Sequence, residues 1–520
     1  MRARSAFVAA ALAAVAAVLL ASGSASGSAK RASADQPQRG GDLVIARIED
    51  SQSMDKTTVF QNESIWVLNQ MFEPLYTVSA DGKSVKPWLA TSYTLSKDRK
   101  TYTFQLRKGV HFSNGKLMTS ADVKFSIDEA RNAKGGWGYI DAAIKDIQAK
   151  GPNTVVIHTK YPWSPFLADI ALFSNGIIPK GYAGMTKGQF YGKHPIGTGP
   201  FMWSKRVVGQ TIKLVRNPHY WQKGKPYLDS VTWSYVSDDN TRELQLRGNQ
   251  VQVDEFPPFN AIDKLKKTPG VTMTLFPSTR TDYLELNEQY KPLADVHVRR
   301  AISYAIDRKA MVNSILFGYG KVANSFLPPQ VPYYDPESPG LQFDIAKAKK
   351  EMSLSKYPNG FKVELLVSSG AATDRATAQI LQQQFKQLGI TVTLRQEDSS
   401  TAFQHIQEGK YQLGFSYWTM DIADPDELVT FAVDPKGGAN SFFTWYSNPK
   451  VAEWTHAAQR EFNPAKRRAL YASIQKQAAQ DAFMGFMYYS PYRYAYSSKV
   501  NGFYVYPTGN YHMEDVWLSK

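Results

Sequence analysis

The chain has 520 residues, 43% of them hydrophobic and 21% charged, a formal net charge of +15 and no cysteine. That length exceeds one compact core and predicts several domains of a folded protein, while the missing cysteine excludes a disulfide framework, a thiolate metal site and a cysteine nucleophile. The positive charge is interspersed with acids and contains no run of five or six basic residues, so it reads as a solvated basic surface with no nucleic-acid partner.

In chain order, Arg2 and Arg4 precede an apolar stretch from Ala6 to Ala21 and small residues ending in Ala32-Ser33-Ala34. This is the order of a secretory signal peptide over 1–34, and an uncleaved anchor is the alternative reading. Residues 30–41 read as a flexible leader, and Leu43-Val44-Ile45 opens the folded sequence. Tyr102, Phe104 and Leu106 alternate with polar residues and predict a strand. Thr119 and Asp122 form a capping box for a helix carrying Val123, Ile127 and Ala130. Asp295 is a good N-cap for a helix with Val298, Ile302, Ala305 and Ile306 on one stripe, and Asp307 caps a second helix. Leu327 to Gly340, rich in proline, is a loop. Residues 361–395 read as strand, helix, strand, with Gly389 at the helix C′ position, which argues for an α/β lobe.

The motifs of common enzymes are missing. There is no His-Glu-x-x-His zinc pair and no Gly-x-Ser-x-Gly elbow, and Gly109 to Lys116 has the wrong spacing for a phosphate loop. The eight histidines are scattered. No metal and no cofactor is expected, and the chain is read as a non-enzyme. A triad assembled from distant positions, hence a secreted hydrolase, is the remote alternative.

Five segments, taken together and in order, resemble the family-5 extracellular solute-binding proteins of ATP-driven (ABC) importers, the oligopeptide and dipeptide binders. They are Tyr102-Thr-Phe-Gln-Leu-Arg-Lys-Gly-Val-His-Phe-Ser-Asn-Gly115 with Ser120-Ala-Asp-Val-Lys-Phe-Ser126; Pro195-Ile-Gly-Thr-Gly-Pro-Phe201 with Asn217-Pro-His-Tyr-Trp221; Val298-Arg-Arg-Ala-Ile-Ser-Tyr-Ala-Ile-Asp-Arg308 with Gly318-Tyr-Gly320 and Pro328-Pro329; the strand-helix-strand ending Leu388-Gly-Ile390; and Asp424-Pro-Asp426 with Tyr446-Ser-Asn-Pro449 and Arg467-Arg-Ala-Leu-Tyr471. The resemblance implies an α/β, two-lobed periplasmic-binding-protein-like fold with a hinge and three domains. Domain I would be 35–80, 193–283 and 495–520; domain II, added to the first lobe, 81–192; domain III, the second lobe, 284–494. The chain would cross between lobes near Tyr283–Asn287 and Tyr488–Tyr496.

The function implied is an extracytoplasmic binding component that closes two lobes around a small ligand, foremost a short peptide, and delivers it to ABC permease membrane subunits, working as a monomer. The same fold binding an oligosaccharide or other polar solute is the alternative, with sensor or chaperone use further behind. Matched by position, a first-lobe strand falls on Phe60, Gln61 and Asn62 and a second-lobe strand on Tyr417, Trp418 and Thr419. Asp421 matches the carboxylate that pairs with a peptide's ammonium, and Arg375 the carboxylate-holding cation of dipeptide binders. Beside the resemblance, Trp418 reads as a stacking platform and Trp445 as a cleft-lining ring. Three departures stand out: Ser399 replaces a frequent tryptophan, Asp481-Ala-Phe-Met-Gly485 lacks a proline, and Leu20-Ala-Ser-Gly-Ser24 has serine in place of a lipobox cysteine.

Overall fold

The computed structural model describes residues 36–520 apart from 370, 371, 438 and 439. The expected signal peptide at 1–34 lies outside the described residues. Among those described, no helix is long and apolar enough to cross a membrane.

Two large sheets organise the chain. The first has seven strands, in the order Val271–Phe276, Tyr492–Ser497, Val253–Glu255, Asp42–Arg47, Ser230–Tyr235, Thr211–Arg216 and Phe201–Val207. Its early strand Asp42–Arg47 runs parallel to both neighbours. Leu43, Ile45, Val231, Trp233, Ile212 and Leu214 are fully buried within one core. The second sheet has six strands, in the order Lys321–Val322, Met484–Tyr489, Thr281–Leu286, Leu413–Trp418, Lys362–Ser368 and Thr391–Glu397. A separate four-stranded antiparallel sheet takes in Ala90–Leu95, Thr101–Leu106, Thr154–Thr159 and Ile144–Lys150.

Local patterns account for the elements. Tyr102, Phe104 and Leu106 are buried on one face of strand Thr101–Leu106. The Thr119 capping box is present, Asp122 accepting from the Thr119 backbone N–H at 2.8 Å, and opens helix Ser120–Arg131 with Val123, Ile127 and Ala130 inside. Asp295 accepts from His297 N at 2.9 Å and Asp307 from Ala310 N at 2.9 Å, each capping its helix. Lys362–Ser368 and Thr391–Glu397 are parallel, Val363 opposite Val392, and helix Ala372–Lys386 between them buries Leu381 and Phe385. A parallel pair needs such a crossover. Gly389 takes a φ of +76°, and a side chain there would strike the Asn359 carbonyl at 2.7 Å.

The chain passes between the two large sheets twice. Strand Val271–Phe276 ends in the seven-stranded sheet and Thr281–Leu286 begins in the six-stranded one. Met484–Tyr489 and Tyr492–Ser497 make the return at 490–491. The first crossing is therefore at 277–280, ahead of the expected Tyr283–Asn287. Tyr283 and Leu286 are fully buried in the second sheet and pair with Ser416 and Leu413, which leaves them no room to bridge.

Candidate functional site

The site is built around the end of strand Leu413–Trp418. On one side this strand pairs with Thr281–Leu286 along its length. On the other, Lys362–Ser368 reaches only Leu413 and Gly414. From Phe415 to Trp418 that edge has no strand beside it among the described residues, and an extended backbone edge of this kind can accept a further strand.

The next residues turn back toward the seven-stranded sheet. Asn62 and Thr419 clasp the two sides: Asn62 Nδ2 donates to Thr419 Oγ1 at 3.1 Å, and Thr419 Oγ1 donates to Asn62 Oδ1 at 3.2 Å. Both residues are buried. Beside the clasp an aromatic cluster joins the two sides, with Phe60 on Trp137 at 4.9 Å, Phe60 on Phe431 at 5.8 Å and Trp418 on Phe431 at 4.6 Å. A second contact comes from Ser164 N, which donates to Gln459 O at 2.7 Å. The cleft is closed.

Asp421 stands just beyond the clasp, half-buried. It is the one residue of the second side lining a cavity of about 40 Å³, room for a few waters, partly continuous with solvent. The remaining walls come from Asn69, Phe72, Phe173, Thr508, Asn510 and their neighbours on the first side. Among the described residues the Asp421 carboxylate receives no side-chain hydrogen bond, and burial pushes it up to about 8. A carboxyl beside a small solvent-linked cavity and with no partner is suited to a cationic ligand group, whose charge would restore the ionised form.

The residues singled out by sequence fall unevenly. Tyr417, Trp418 and Thr419 are consecutive at the cleft, with Asp421 two residues on, and Tyr417 is 38% exposed. Phe60, Gln61 and Asn62 do reach it, but they do not form a strand. Gln61 is the N-cap of helix Asn62–Leu68, and its side chain is tied to the preceding loop, accepting from Gln52 N at 2.8 Å and donating to Asp50 O at 2.9 Å. Trp418 offers no stacking face, being 9% exposed, packed against Phe431 and Phe442, and donating Nε1 to Glu427 at 3.1 Å. Arg375 is exposed on the first turn of its helix, and it is the neighbouring Asp374 that feels the charge of Arg280. Trp445 packs where Gly409 leaves room, a Cβ there lying 2.4 Å from its ring. That is the Leu413 end of the strand, away from Asp421, because the Asn287 amide bonds Gly409 O and Leu286 pairs with Leu413.

Sequence reading passed over several groups. Glu427 is fully buried beneath the Asp421 loop. Arg280 forks onto Asp282, with Nη2 at 2.6 Å and Nε at 3.0 Å, and its guanidinium lies 3.7 Å over the Tyr417 ring. Glu63 is 6% exposed on helix Asn62–Leu68. Only Glu427, three residues past Asp424 in the Asp-Pro-Asp segment, stands near a motif. Among the described residues, no group of three or more His, Cys, Asp or Glu is arranged to hold a metal ion.

Known proteins share this architecture. The profile of bacterial extracellular solute-binding proteins, family 5 Middle, matches residues 84–440. The glutathione-binding protein GsiB of Pectobacterium atrosepticum is 30% identical over 492 residues, covering 92% of this chain and 94% of that protein. The Helicobacter pylori ABC transporter-associated periplasmic binding protein DppA, solved with the peptide STSA, superposes with a TM-score of 0.85 at 28% identity, over 93% of this chain and 99% of that one. The Bacillus subtilis oligopeptide-binding protein AppA, solved with a nonapeptide, gives 0.85 at 25% identity, over 93% and 100%. These relatives are binding proteins, and their fold is two-lobed. With the profile covering more than half its length, the chain belongs to the bacterial extracellular solute-binding proteins of family 5, the binding components of ABC importers.

Proposed function

We propose that this chain binds a short peptide between its lobes, sets the peptide's ammonium against Asp421 and its backbone along the free edge at Phe415–Trp418, and delivers it to the membrane subunits of an ABC permease. The observation that carries this reading is the juxtaposition of an unpartnered carboxylate, on a cavity, with an unpaired strand edge a few residues earlier. Main-chain pairing supplies affinity that tolerates different side chains, and the charge pair fixes direction. The relatives solved with peptides support the ligand class. Phe60, Gln61 and Asn62 form the opposing wall, Thr419 clasps it, and Tyr417 borders the ligand. Arg375 is left as an exposed residue on the first turn of its helix.

We keep the division into domain I (35–80, 193–283, 495–520), domain II (81–192) and domain III (284–494), with the two lobe boundaries moved to the crossings at 277–280 and 490–491. The protein acts outside the cytoplasm after export on the segment 1–34, as a monomer, and performs no catalysis. Denaturing the purified protein and identifying released ligand by mass spectrometry tests the reading. A set of short peptides is the expected result, and a sugar or other non-peptide solute would overturn it.

A further inference from the structure

The four-stranded sheet and the chain around it, residues 81–192, touch both lobes, and the two sets of contacts differ in kind. Toward the first lobe they are buried. Trp137 Nε1 donates to Val59 O at 2.7 Å and Lys56 Nζ to Ser174 O at 2.5 Å, both inside the protein. Separating such groups would leave buried polar atoms without partners, so this attachment is permanent. Toward the second lobe a group of contacts lies near the surface, and it gathers on the end of one helix, Pro449–Arg460.

A helix end leaves its last carbonyls without partners inside the helix. Here two of them are met from across the cleft. Ser164 N donates to Gln459 O at 2.7 Å, and Ser164 Oγ donates to Ala458 O at 3.2 Å. Two cation–ring pairs accompany this cap, and the two sides exchange roles in them. The Arg460 guanidinium lies 4.5 Å from the centre of the Tyr161 ring, and the Arg99 guanidinium 4.4 Å from that of Phe462. Both arginines are exposed and both rings half-buried. Among the described residues neither guanidinium makes an ion pair or a hydrogen bond, so the ring across the cleft is the partner each one has.

Arg99 stands where glycine would be easier. It sits in the turn between strands Ala90–Leu95 and Thr101–Leu106 with a φ of +58°, in the left-handed region. The turn itself makes no use of its side chain. Its backbone N–H bonds Ser96 O at 2.9 Å, as that of a glycine would. Strain kept at a surface turn points to a task for the side chain, and the group this one meets belongs to the opposite lobe. None of these residues lines the Asp421 cavity or belongs to the free edge at Phe415–Trp418. The contacts therefore bear on the shut form of the protein and not on the ligand.

We propose that residues 81–192 serve as a latch, in which Ser164, Tyr161 and Arg99 engage the end of helix Pro449–Arg460 and Phe462 when the lobes shut, and so set how long the cleft stays shut whatever it holds. The inference goes beyond the peptide reading and stands for any cargo. The chain has no cysteine, so Lys97→Cys and Lys466→Cys, both at exposed positions, give a single spin-label pair across the latch. Pulsed dipolar spectroscopy of the purified protein then reads shut and open populations as shorter and longer distances. Arg99→Gly and Tyr161→Ala should each lower the ratio of shut to open about threefold. Combined with Ser164→Ala they should lower it about thirtyfold. Phe462→Ala added to Arg99→Gly should change nothing further, because that pair is already broken. Arg99→Gly also separates a latch from a role in folding, since glycine suits the turn and its urea midpoint should match that of the labelled parent. Distances unchanged in the triple variant, or a parent with no shorter-distance population, would overturn the latch. So would a urea midpoint in Arg99→Gly that falls along with the shut population, since the side chain would then be serving its own sheet.

Discussion

Glu427 holds the loop on which Asp421 stands. Its Oε2 accepts the backbone N–H of Asp421 at 2.9 Å and of Ile422 at 3.1 Å, while Oε1 accepts the Trp418 indole N–H at 3.1 Å. One buried side chain thus fixes the end of the cleft strand and the turn after it. Burial, then the charge of Asp421, raises the Glu427 carboxyl well above its usual range.

Removing that carboxyl should be costly in proportion to the donors it orphans. Glu427→Ala leaves three N–H groups buried without partners, at about 1–3 kcal/mol each, so urea unfolding should show a loss of about 3 kcal/mol or more and peptide binding should collapse. Glu427→Gln keeps a carbonyl oxygen for the two backbone donors and sets an amide against the indole, for a loss of about 1 kcal/mol. Equal stability of the two variants would show that the loop does not depend on these bonds.

Binding of a peptide ammonium should depend on pH through Asp421. With its carboxyl at about 8 in the empty cleft, the group is mostly protonated below that pH, and the ammonium selects the ionised form. Affinity should rise by up to about tenfold per unit from pH 6 toward 8. It should then fall as the peptide's own α-amino group, with a pKa of about 8, loses its proton. Asp421→Asn should bind at least about a hundredfold more weakly, the loss of a buried charge partner costing about 3 kcal/mol, and should lack the rising limb. Calorimetry across pH in wild type and variant checks both.

The Asn62–Thr419 clasp exists only while the lobes are together, so it biases closure, and its loss acts on every ligand. Asn62→Ala should remove about 1 kcal/mol from the closed state, lowering affinity at least about fivefold for the ligands tested. Small-angle scattering of the ligand-free protein should show a larger radius of gyration than wild type. An unchanged radius of gyration together with unchanged affinity would contradict this role.

Glu73 should make stability fall with pH over a defined window. Its buried carboxyl accepts from Trp88 Nε1 and Thr198 Oγ1 at 2.8 Å and from Tyr220 OH and Trp221 Nε1 at 3.1 Å, yet burial outweighs these bonds and lifts it from 4.5 to about 7. Below 4.5 both folded and unfolded forms are protonated. Between 4.5 and 7 only the unfolded chain releases its proton, so wild type should lose about 3 kcal/mol relative to Glu73→Gln as pH rises. Above 7 the difference should level off. Parallel unfolding curves for the two proteins at all pH values would contradict the raised pKa.

Much of this architecture was readable from residue order, and the reasons are local. Alternation fixed strand Thr101–Leu106, short-range side-chain bonds fixed the caps at Thr119, Asp295 and Asp307, and the helix between two parallel strands fixed the α/β lobe. The site was harder, because it depends on which way single side chains turn. Asp374 and Arg375 are adjacent, and the helical rotation between them sends one toward Arg280 and the other to solvent. Trp418 looks like a platform in sequence, but lying at the end of its strand it turns into the cluster of Phe431 and Phe442. Trp445 sits in a run with left-handed backbone at Phe442, Phe443 and Trp445, which no periodicity encodes.

The two crossings between the sheets lie side by side. Strand Thr281–Leu286 pairs with Met484–Tyr489 on one side of the passage, and Val271–Phe276 pairs with Tyr492–Ser497 on the other. In the middle, Ser490 Oγ donates to Asp282 Oδ2 at 2.7 Å, fastening the second connection to the start of the strand that follows the first. Such a two-ply strap bends across its width far more readily than it shears or twists apart, so it acts as a door hinge and not as a ball joint. Opening then sweeps a single arc, and the edges that meet when a ligand is captured are the same edges every time. A membrane partner that reads the shut form is thereby offered one surface, whatever the sequence of the cargo inside.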